Sequence, residues 1–309
     1  MWRSLPEASA SAPRVDLLIA SLLGVSLLVL GLVLFLLLLY VVRYRHNSPI
    51  KRTDVAEKTF RFEISWTAAT LAIFFGLFIW GSRLYVQLLR PPDNALKVYI
   101  VAKQWMWKAE YPGGQREIDS LHVPLGQPVE LVMTSQDVIH DFFVPAFRVK
   151  RDVLPGQYET LWFRADRPGV YHLFCSQFCG TDHAAMTGSV TVLSDPEYRR
   201  WLAAVGTSGS LAQQGADLFI RYGCSGCHGG HGTVRAPSLA GLYGSPVPLS
   251  DGSTVTADDR YIRDSILFPR QQVVASYQPV MPSFKGVIGE EDLLKLVAYI
   301  KSLGAGNQS

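Results

Sequence analysis

The longest charge-free run in the chain sets the first constraint on its fold. No charged residue lies between Leu17 and Val42, and most side chains in this stretch are large and apolar. At about 1.5 Å per residue, a helix of this length more than crosses a hydrocarbon core about 30 Å thick. Arg43 and Arg45 follow the run where a signal peptide would need a small-residue cleavage site, so we expect a retained membrane helix.

A second charge-free run, Ile64 to Ser82, is also long enough to span a membrane, with Trp66 and Trp80 near its ends as interfacial anchors. Basic residues dominate the segment between the two runs, which the positive-inside rule places in the cytoplasm. We therefore expect residues 1–90 to form a helical hairpin in the lipid of a bacterial inner membrane. Both termini and the rest of the chain then lie on the periplasmic side.

The 309 residues exceed what one compact domain usually needs, and their charge gives no sign of a nucleic-acid partner. The formal net charge is only +3, and the basic residues do not gather into a patch, so we exclude a nucleic-acid-binding role. The four cysteines fall into two close pairs, at 175 and 179 and at 224 and 227. This spacing indicates metal or heme attachment rather than a scattered disulfide framework.

Short β-rich runs follow the two prolines at 91 and 92. They are separated by turn residues, which predicts an antiparallel β-sandwich or barrel over 91–205; the runs are 98–102, 129–134, 158–163, 170–174 and 190–193. Residues 206–210, Gly-Thr-Ser-Gly-Ser, have the composition of a flexible linker. Amphipathic helical patterns begin and end the 206–309 segment, which predicts an all-helical second domain.

One loop between two predicted strands holds residue types that bind soft metals. It reads Cys175-Ser-Gln-Phe-Cys179-Gly-Thr-Asp-His183-Ala-Ala-Met186 and offers two thiolates, an imidazole and a thioether. This mix favours copper, and the second cysteine indicates a second metal, because a mononuclear blue-copper site needs only one. We choose His140, which follows a predicted strand, as the distant ligand. The alternatives are a disulfide and a tetrahedral zinc site, and zinc would leave Met186 without a role.

From Leu17 to about Leu193 the chain resembles subunit II of the heme-copper terminal oxidases, whose motif is Cys-x-x-x-Cys-x-x-x-His-x-x-Met with an upstream histidine. The resemblance implies a cupredoxin-like barrel that holds dinuclear copper A. It implies that both cysteines bridge the coppers, that His140 and Met186 complete one metal, and that His183 and the carbonyl of Gln177 complete the other. The family often has glutamate at position 177, so glutamine leaves open any side-chain contact with the family's magnesium ion at the subunit I interface.

The second cysteine pair lies in Cys224-Ser-Gly-Cys227-His228, the attachment motif for c-type heme. Met281 is the only methionine of the second domain, and His/Met ligation is typical of electron-transfer hemes; ordinary core packing is the alternative for this side chain. We expect His231 to be a surface residue. Residues 206 to about 303 resemble a class I cytochrome c, and the whole chain resembles subunit II of the caa-type oxidases.

Further roles come only from this resemblance. Trp105 matches the tryptophan at which electrons reach copper A, whereas Trp107 is expected to be structural; buried packing is the default for both. Glu63 matches a glutamate that opens a proton pathway into subunit I, and an interfacial carboxylate is the alternative. Asp137, Asp141 and Asp152 lie near the copper loops, and we assign them no site role, since charges on loops are more often solvated.

The resemblance implies a relay in which an external donor such as a cytochrome c reduces the heme and the heme reduces copper A. Subunit I, accompanied by subunit III, would then reduce oxygen to water and couple this to proton translocation, so this chain itself has no catalytic residue. Two alternatives stay open. One is the corresponding subunit of a nitric oxide reductase that contains copper A, and the other is a stand-alone membrane-tethered copper delivery or redox-sensing protein.

Overall fold

The computed structural model describes residues 6–46, 48–49, 60–205, 209–229 and 236–304. It begins with two long helices that contact each other, α1 (Ala12–Arg43) and α2 (Phe60–Leu89). Both are long and apolar enough to cross a membrane, and the chain does not cover their apolar side chains as it would those of a core helix. The predicted helical hairpin is confirmed, and each helix extends a few residues beyond its charge-free run.

The region after α2 is a sandwich of two five-stranded sheets, which confirms the predicted all-β domain. Each sheet also contains one parallel strand pair, so the prediction of a purely antiparallel arrangement is wrong. The first sheet has the order β3-β2-β1-β5-β8, with β1 Leu96–Lys103, β2 Met106–Glu110, β3 Arg116–Ile118, β5 Pro128–Ser135 and β8 Glu159–Arg164. The second has the order β4-β10-β9-β6-β7, with β4 Ser120–Pro124, β6 His140–Val144, β7 Val149–Val153, β9 Gly169–Cys175 and β10 Thr187–Leu193. Their inner faces enclose one apolar core that includes Trp107, Phe142 and Phe163.

The C-terminal domain is mainly helical, as expected, with one addition. After α3 (Asp195–Ala204), which follows the sandwich, come α4 (Leu211–Arg221), α5 (Ser225–His228), α6 (Asp259–Leu267) and α7 (Glu290–Ser302). A two-stranded hairpin of β11 (Pro246–Pro248) and β12 (Thr254–Thr256) interrupts the helices. Helices α4 and α7 cross so closely that a Cβ at Gly215 would lie 2.0 Å from the carbonyl oxygen of Lys295. Only glycine permits that approach.

The short segment that precedes α1 packs against the β-sandwich. Ser9 forms a β-bridge with Ala165, and both Ala8 and Ser9 are fully buried. At the start of α1, Asp16 accepts two hydrogen bonds of 2.8 Å from the guanidinium of Arg148. The N-terminal end of α1 and the β-sandwich therefore lie on the same side of the helical hairpin.

Candidate metal and heme sites

The predicted copper loop lies at one end of the sandwich, between β9 and β10. Strand β9 ends at Cys175, and β6 begins at His140. These strands are antiparallel neighbours, with Phe142 opposite Cys175 in the register. This pairing brings the distant histidine to the loop, although 35 residues separate His140 from Cys175.

All the predicted copper ligands converge at this end. The two sulfur atoms, Cys175 Sγ and Cys179 Sγ, are 3.7 Å apart, well beyond a disulfide bond of about 2.05 Å. The other donors lie close to one of these sulfurs: His140 Nδ1 at 3.9 Å and the Gln177 carbonyl oxygen at 3.2 Å from Cys175, with His183 Nδ1 at 3.4 Å and Met186 Sδ at 3.8 Å from Cys179.

This donor set fits a pair of copper ions. Two thiols, two imidazole nitrogens, a thioether and a carbonyl oxygen exceed the four positions of a tetrahedral zinc site, and thiolates and thioethers are the ligands that copper prefers. Cys175 and Cys179 are both free cysteines, and both are buried. The disulfide alternative is therefore not what the structure shows.

The ionisation of the two thiols differs sharply before any metal is bound. Burial disfavours the thiolate of Cys175, but hydrogen bonds from His140 and from the backbone at Asp141 outweigh it and lower its pKa to about 7. Burial and the neighbouring Cys175 raise the pKa of Cys179 to about 12. The pair therefore loses its first proton more easily than its second, and a bound cation would compensate the added charge.

Asp137, which we did not assign to the site, orients a ligand. Its Oδ1 lies 2.8 Å from Nε2 of His140, so the ring directs Nδ1 at the sulfur atoms. Its Oδ2 accepts a 2.8 Å hydrogen bond from the backbone N–H of Gln104, whose side-chain amide donates to the carbonyl of Cys179 at 2.7 Å. A carboxylate that holds the remote nitrogen of a ligating histidine is a common support for metal sites.

Asp141 is also not the solvated charge that we expected. Its side chain is buried, 1% exposed, and accepts a 2.6 Å hydrogen bond from the hydroxyl of Ser176. Burial raises the pKa of Asp141 to about 6. The aspartate therefore ties the start of β6 to the residue that follows Cys175, and so it belongs to the framework of the site.

Trp105 packs directly against the copper loop. A Cβ at Gly180, the residue after Cys179, would lie 3.2 Å from Cζ2 of Trp105, and the backbone there has a φ of +122°, which favours glycine. Trp107 lies in the core, 2% exposed, with its ring edge-on to Phe142 at a centroid distance of 5.4 Å. The first tryptophan is thus next to the copper loop, and the second packs inside the sandwich.

The heme motif opens onto a cleft of about 470 Å³, within the range of about 300–1,000 Å³ typical of small-molecule and cofactor sites. Most of its lining is apolar and comes from the segments 236–248 and 269–284, and α4, α6 and α7 add further apolar side chains. Cys224, Cys227 and His228 form one wall, and Met281 lies on the lining of the same cleft. The predicted heme residues are therefore brought together, and the apolar lining fits a porphyrin.

A backbone carbonyl fixes the orientation of the predicted heme ligand. Nδ1 of His228 lies 3.0 Å from the carbonyl oxygen of Pro237, which accepts its proton and leaves Nε2 free to bind iron. No sequence pattern indicates this partner, because Pro237 lies nine residues beyond His228 and contributes only its backbone carbonyl. His231 lies in the segment 230–235, outside the described residues, so its expected surface position stays a prediction.

Glu63 stands apart from both sites. It lies in the first turn of α2 with an exposed side chain. The structure brings it next to neither the copper ligands nor the heme cleft, as expected for a residue at the far end of a membrane helix.

Comparisons with known proteins agree with this division. Residues 95–193 match the family of the cytochrome c oxidase subunit II periplasmic domain, and residues 212–304 match the cytochrome c family. Cytochrome c oxidase subunit 2 of Alkalihalophilus pseudofirmus is 29% identical over 255 residues, which cover 78% of this chain and 72% of that protein. The alternative cytochrome c oxidase subunit 2 of Bradyrhizobium diazoefficiens is 30% identical over 178 residues, which cover 48% and 62% of the two chains.

Among solved structures, the periplasmic domain of subunit II of the Bradyrhizobium japonicum cytochrome oxidase aligns with 38% of this chain and 96% of its own, at 31% identity and a TM-score of 0.36. The order of the two family matches is the order of the two candidate sites along the chain, with copper ligands in the first and the heme motif in the second. The chain therefore contains a domain of the cytochrome c oxidase subunit II periplasmic family followed by a cytochrome c domain, which is the combination that the sequence predicted for a caa-type subunit II.

Proposed function

We propose that this chain is the subunit through which electrons enter a heme-copper terminal oxidase. Electrons from an external donor such as a cytochrome c enter through the cytochrome c domain, cross to the copper domain and leave for a heme of subunit I, where oxygen is reduced to water. Both cofactors supply reversible one-electron chemistry. The single observation that carries the proposal is the convergence of two free thiols, 3.7 Å apart, with the four other predicted donors.

The copper domain would hold its two metals with little rearrangement. The fold brings together the proposed ligands, which are His140, Cys175, Gln177, Cys179, His183 and Met186. Asp137 keeps the ring of His140 in place, and Gln104 holds the carbonyl of Cys179. Ligands fixed in this way change little when the charge of the site changes, which favours electron transfer over bond chemistry.

The cytochrome c domain would bind heme covalently through Cys224 and Cys227, with His228 and Met281 as axial ligands. The carbonyl of Pro237 holds the tautomer of His228. With both axial positions filled, the site has no open position for oxygen. The apolar lining of the cleft excludes water from the proposed heme.

The membrane arrangement follows from the hairpin. We propose two spans in a bacterial inner membrane, with the copper and cytochrome domains on the periplasmic side. The packing of residues 8 and 9 against the sandwich supports a common side for the N-terminal segment and the copper domain. The basic segment between the spans supports a cytoplasmic position for the loop.

Contacts with partner subunits form a further part of the proposal. Phe178 in the copper loop is 76% exposed, and an exposed aromatic ring beside a redox site fits a protein partner such as subunit I. Trp105 would accept electrons next to the copper loop, and Glu63 would open a proton pathway into subunit I. Subunit III completes the proposed complex. We leave magnesium out, since Gln177 offers an amide where a carboxylate would bind that ion.

Purification of the complex from its native membrane tests this function. We expect a large polytopic subunit with hemes to co-purify, and oxygen to be consumed faster than nitric oxide when a reduced cytochrome c is supplied. Preference for nitric oxide would identify a copper A nitric oxide reductase instead. A monomer that releases copper readily would indicate a stand-alone copper delivery or redox-sensing protein.

A further inference from the structure

The cytochrome c domain rests on the outer face of the first sheet. Tyr99 and Val101 of β1 and Val132 of β5 point away from the sandwich core and pack against Leu211 of α4 and Leu294 of α7. All five side chains are at most 5% exposed. The sheet is therefore buried on both faces here, by the sandwich core on one side and by the cytochrome c domain on the other.

A buried arginine joins the two domains at one edge of this contact. Arg263 of α6 is 1% exposed, and its Nη1 donates a 2.7 Å hydrogen bond to the carbonyl oxygen of Gly156, between β7 and β8. Its Nη2 lies 2.5 Å from Oε1 of Glu290, and its guanidinium carbon lies 5.5 Å from the ring centroid of Tyr158. A buried guanidinium is costly unless such partners compensate its charge and accept its hydrogen bonds. The position of Arg263 therefore defines how the two domains pack against each other.

An ion pair between the two domains lies beside the apolar contact. Lys108 of β2 pairs with Glu291 in the first turn of α7. Arg116 of β3 donates a 2.8 Å hydrogen bond to the side-chain oxygen of Gln214 in α4. These contacts fix the rotation of the cytochrome c domain about the apolar patch, because the bonded pairs lie on different strands.

The Arg263 contact lies between the two candidate redox sites. Next to Gly156, Pro155 forms a β-bridge with Ser135, whose hydroxyl is 3.3 Å from the Oδ1 of Asp137 that also binds His140. On the other side, Ile262 and Ile266 of α6 line the heme cleft. Helix α6 thus contacts the heme cleft with one face and reaches toward the support of a copper ligand with another.

None of the docking contacts uses the heme cleft. Among the described residues, those that make the docking contacts are absent from the cleft lining, and so are all residues of the sandwich. An external donor can therefore approach the cleft while the domain stays docked. A linker of the composition found at residues 206–210 would allow the domain to turn, whereas the contacts between the described residues hold it in one orientation.

We propose that Arg263, Glu290, Glu291, Leu294 and Lys108 form a docking seat that positions the cytochrome c domain for electron transfer into the copper domain beside the Gly156 turn. This inference rests on the proposed function. In the transfer, one electron leaves the ferrous heme, which becomes ferric, and reduces the oxidised copper pair, and no covalent bond forms or breaks. The seat residues are positioning residues.

A charge swap in the purified full-length protein tests the seat independently of electron transfer. Lys108→Glu places two carboxylates together and opens the seat, so amide hydrogen exchange at residues 156–158 and in the first turn of α7 rises roughly two- to fivefold, the scale of a partly exposed ion pair. Adding Glu291→Lys restores slow exchange. Arg199→Glu, which reverses a charge in the exposed α3 pair with Asp195, is the matched control and leaves these amides unchanged.

Electron transfer in the same variants tests the role of the seat. After rapid photoreduction of the heme, we expect Lys108→Glu to slow heme-to-copper electron transfer roughly two- to fivefold. The rate should also become dependent on solvent viscosity, and the heme spectrum should stay unchanged. The double swap restores the wild-type rate. Unchanged exchange in Lys108→Glu, or no rescue by the double swap, would overturn the seat. Absence of any heme-to-copper transfer in the wild type would instead overturn the proposed function, and the exchange data would still report on the seat.

Discussion

The two candidate sites are built in opposite ways. The copper ligands lie at the end of a rigid sandwich, where His140, Cys175, Cys179 and Met186 are all less than 10% exposed. The heme residues surround an open cleft, with Cys227 exposed and Cys224 only partly buried. A site formed by packed strands exists before its metal, whereas a cleft of this size needs the cofactor to complete its core. Removing each cofactor should therefore affect the two domains very differently.

The largest effect is expected from loss of heme attachment. In the double variant Cys224→Ala, Cys227→Ala no thioether bonds form, and the empty apolar cleft loses the group that fills it. We expect the cytochrome c domain to lose cooperative unfolding, while the sandwich unfolds as in the wild type. Hydrogen exchange resolved by domain measures this. Full protection of α4 and α7 without heme would show that the cytochrome c domain does not need the heme to complete its core.

Loss of a bridging thiol should have the opposite outcome. Cys175→Ala removes a proposed ligand of both coppers, so we expect dinuclear copper to be lost. The sandwich should stay folded. Without copper, the unfolding free energy of the variant should lie within about 1 kcal/mol of that of the wild-type protein without copper. Copper content and chemical denaturation check the two parts. Global unfolding would show that the site is not preformed.

Asp137 allows a finer test of preformation. Asp137→Asn keeps the shape but weakens the hold on Nε2 of His140, and loss of such a support typically lowers metal affinity about 10- to 100-fold. Competition with a copper chelator measures the change. Asp166→Asn, which removes an exposed carboxylate between β8 and β9, is the control; an equal loss of affinity there would show that only the overall charge matters.

The smallest effect concerns a cluster that stabilises the sandwich far from the copper loop. His122 and Tyr111 each form a 2.6 Å hydrogen bond with Glu117. Burial would raise the pKa of Glu117, but these bonds outweigh it and lower the value. The stabilisation is therefore complete above the unfolded pKa of about 4.3 and is lost as the pH falls through the lower folded value.

Glu117→Gln should destabilise the sandwich by about 1 to 2 kcal/mol at neutral pH and flatten its acid unfolding curve. Denaturant titrations at several pH values measure both. Glu130→Gln, on the first sheet, provides a comparison outside this cluster. An unchanged pH dependence in Glu117→Gln would show that another carboxylate is responsible.

The sequence revealed the ligands better than their supports. The copper loop and the heme motif each hold most of their ligands within a dozen residues, so chain spacing alone brings those atoms together. Asp137 and Pro237 act through contacts that only the fold creates. The hydrogen bond from Gln104 to Asp137 spans 33 residues, and no local pattern indicates it.

The strands show the same limit. The five predicted strands are the apolar ones, whereas β3 and β7 are short and carry charged residues, such as Lys150 and Arg151, that mask the alternation. One signal did anticipate the docked domain. Residues 98–102 are apolar without interruption, which is typical of a strand buried on both faces, and the cytochrome c domain covers the outer one.

The central claim is that this one chain holds a dinuclear copper centre and a separate six-coordinate heme. Electron paramagnetic resonance of the oxidised full-length protein, combined with metal analysis, tests it most directly. We predict two coppers and one heme per chain, with the multiline hyperfine pattern of one electron shared by two copper nuclei beside a low-spin heme signal. The hyperfine pattern of a single copper nucleus, or a high-spin heme, would contradict this account.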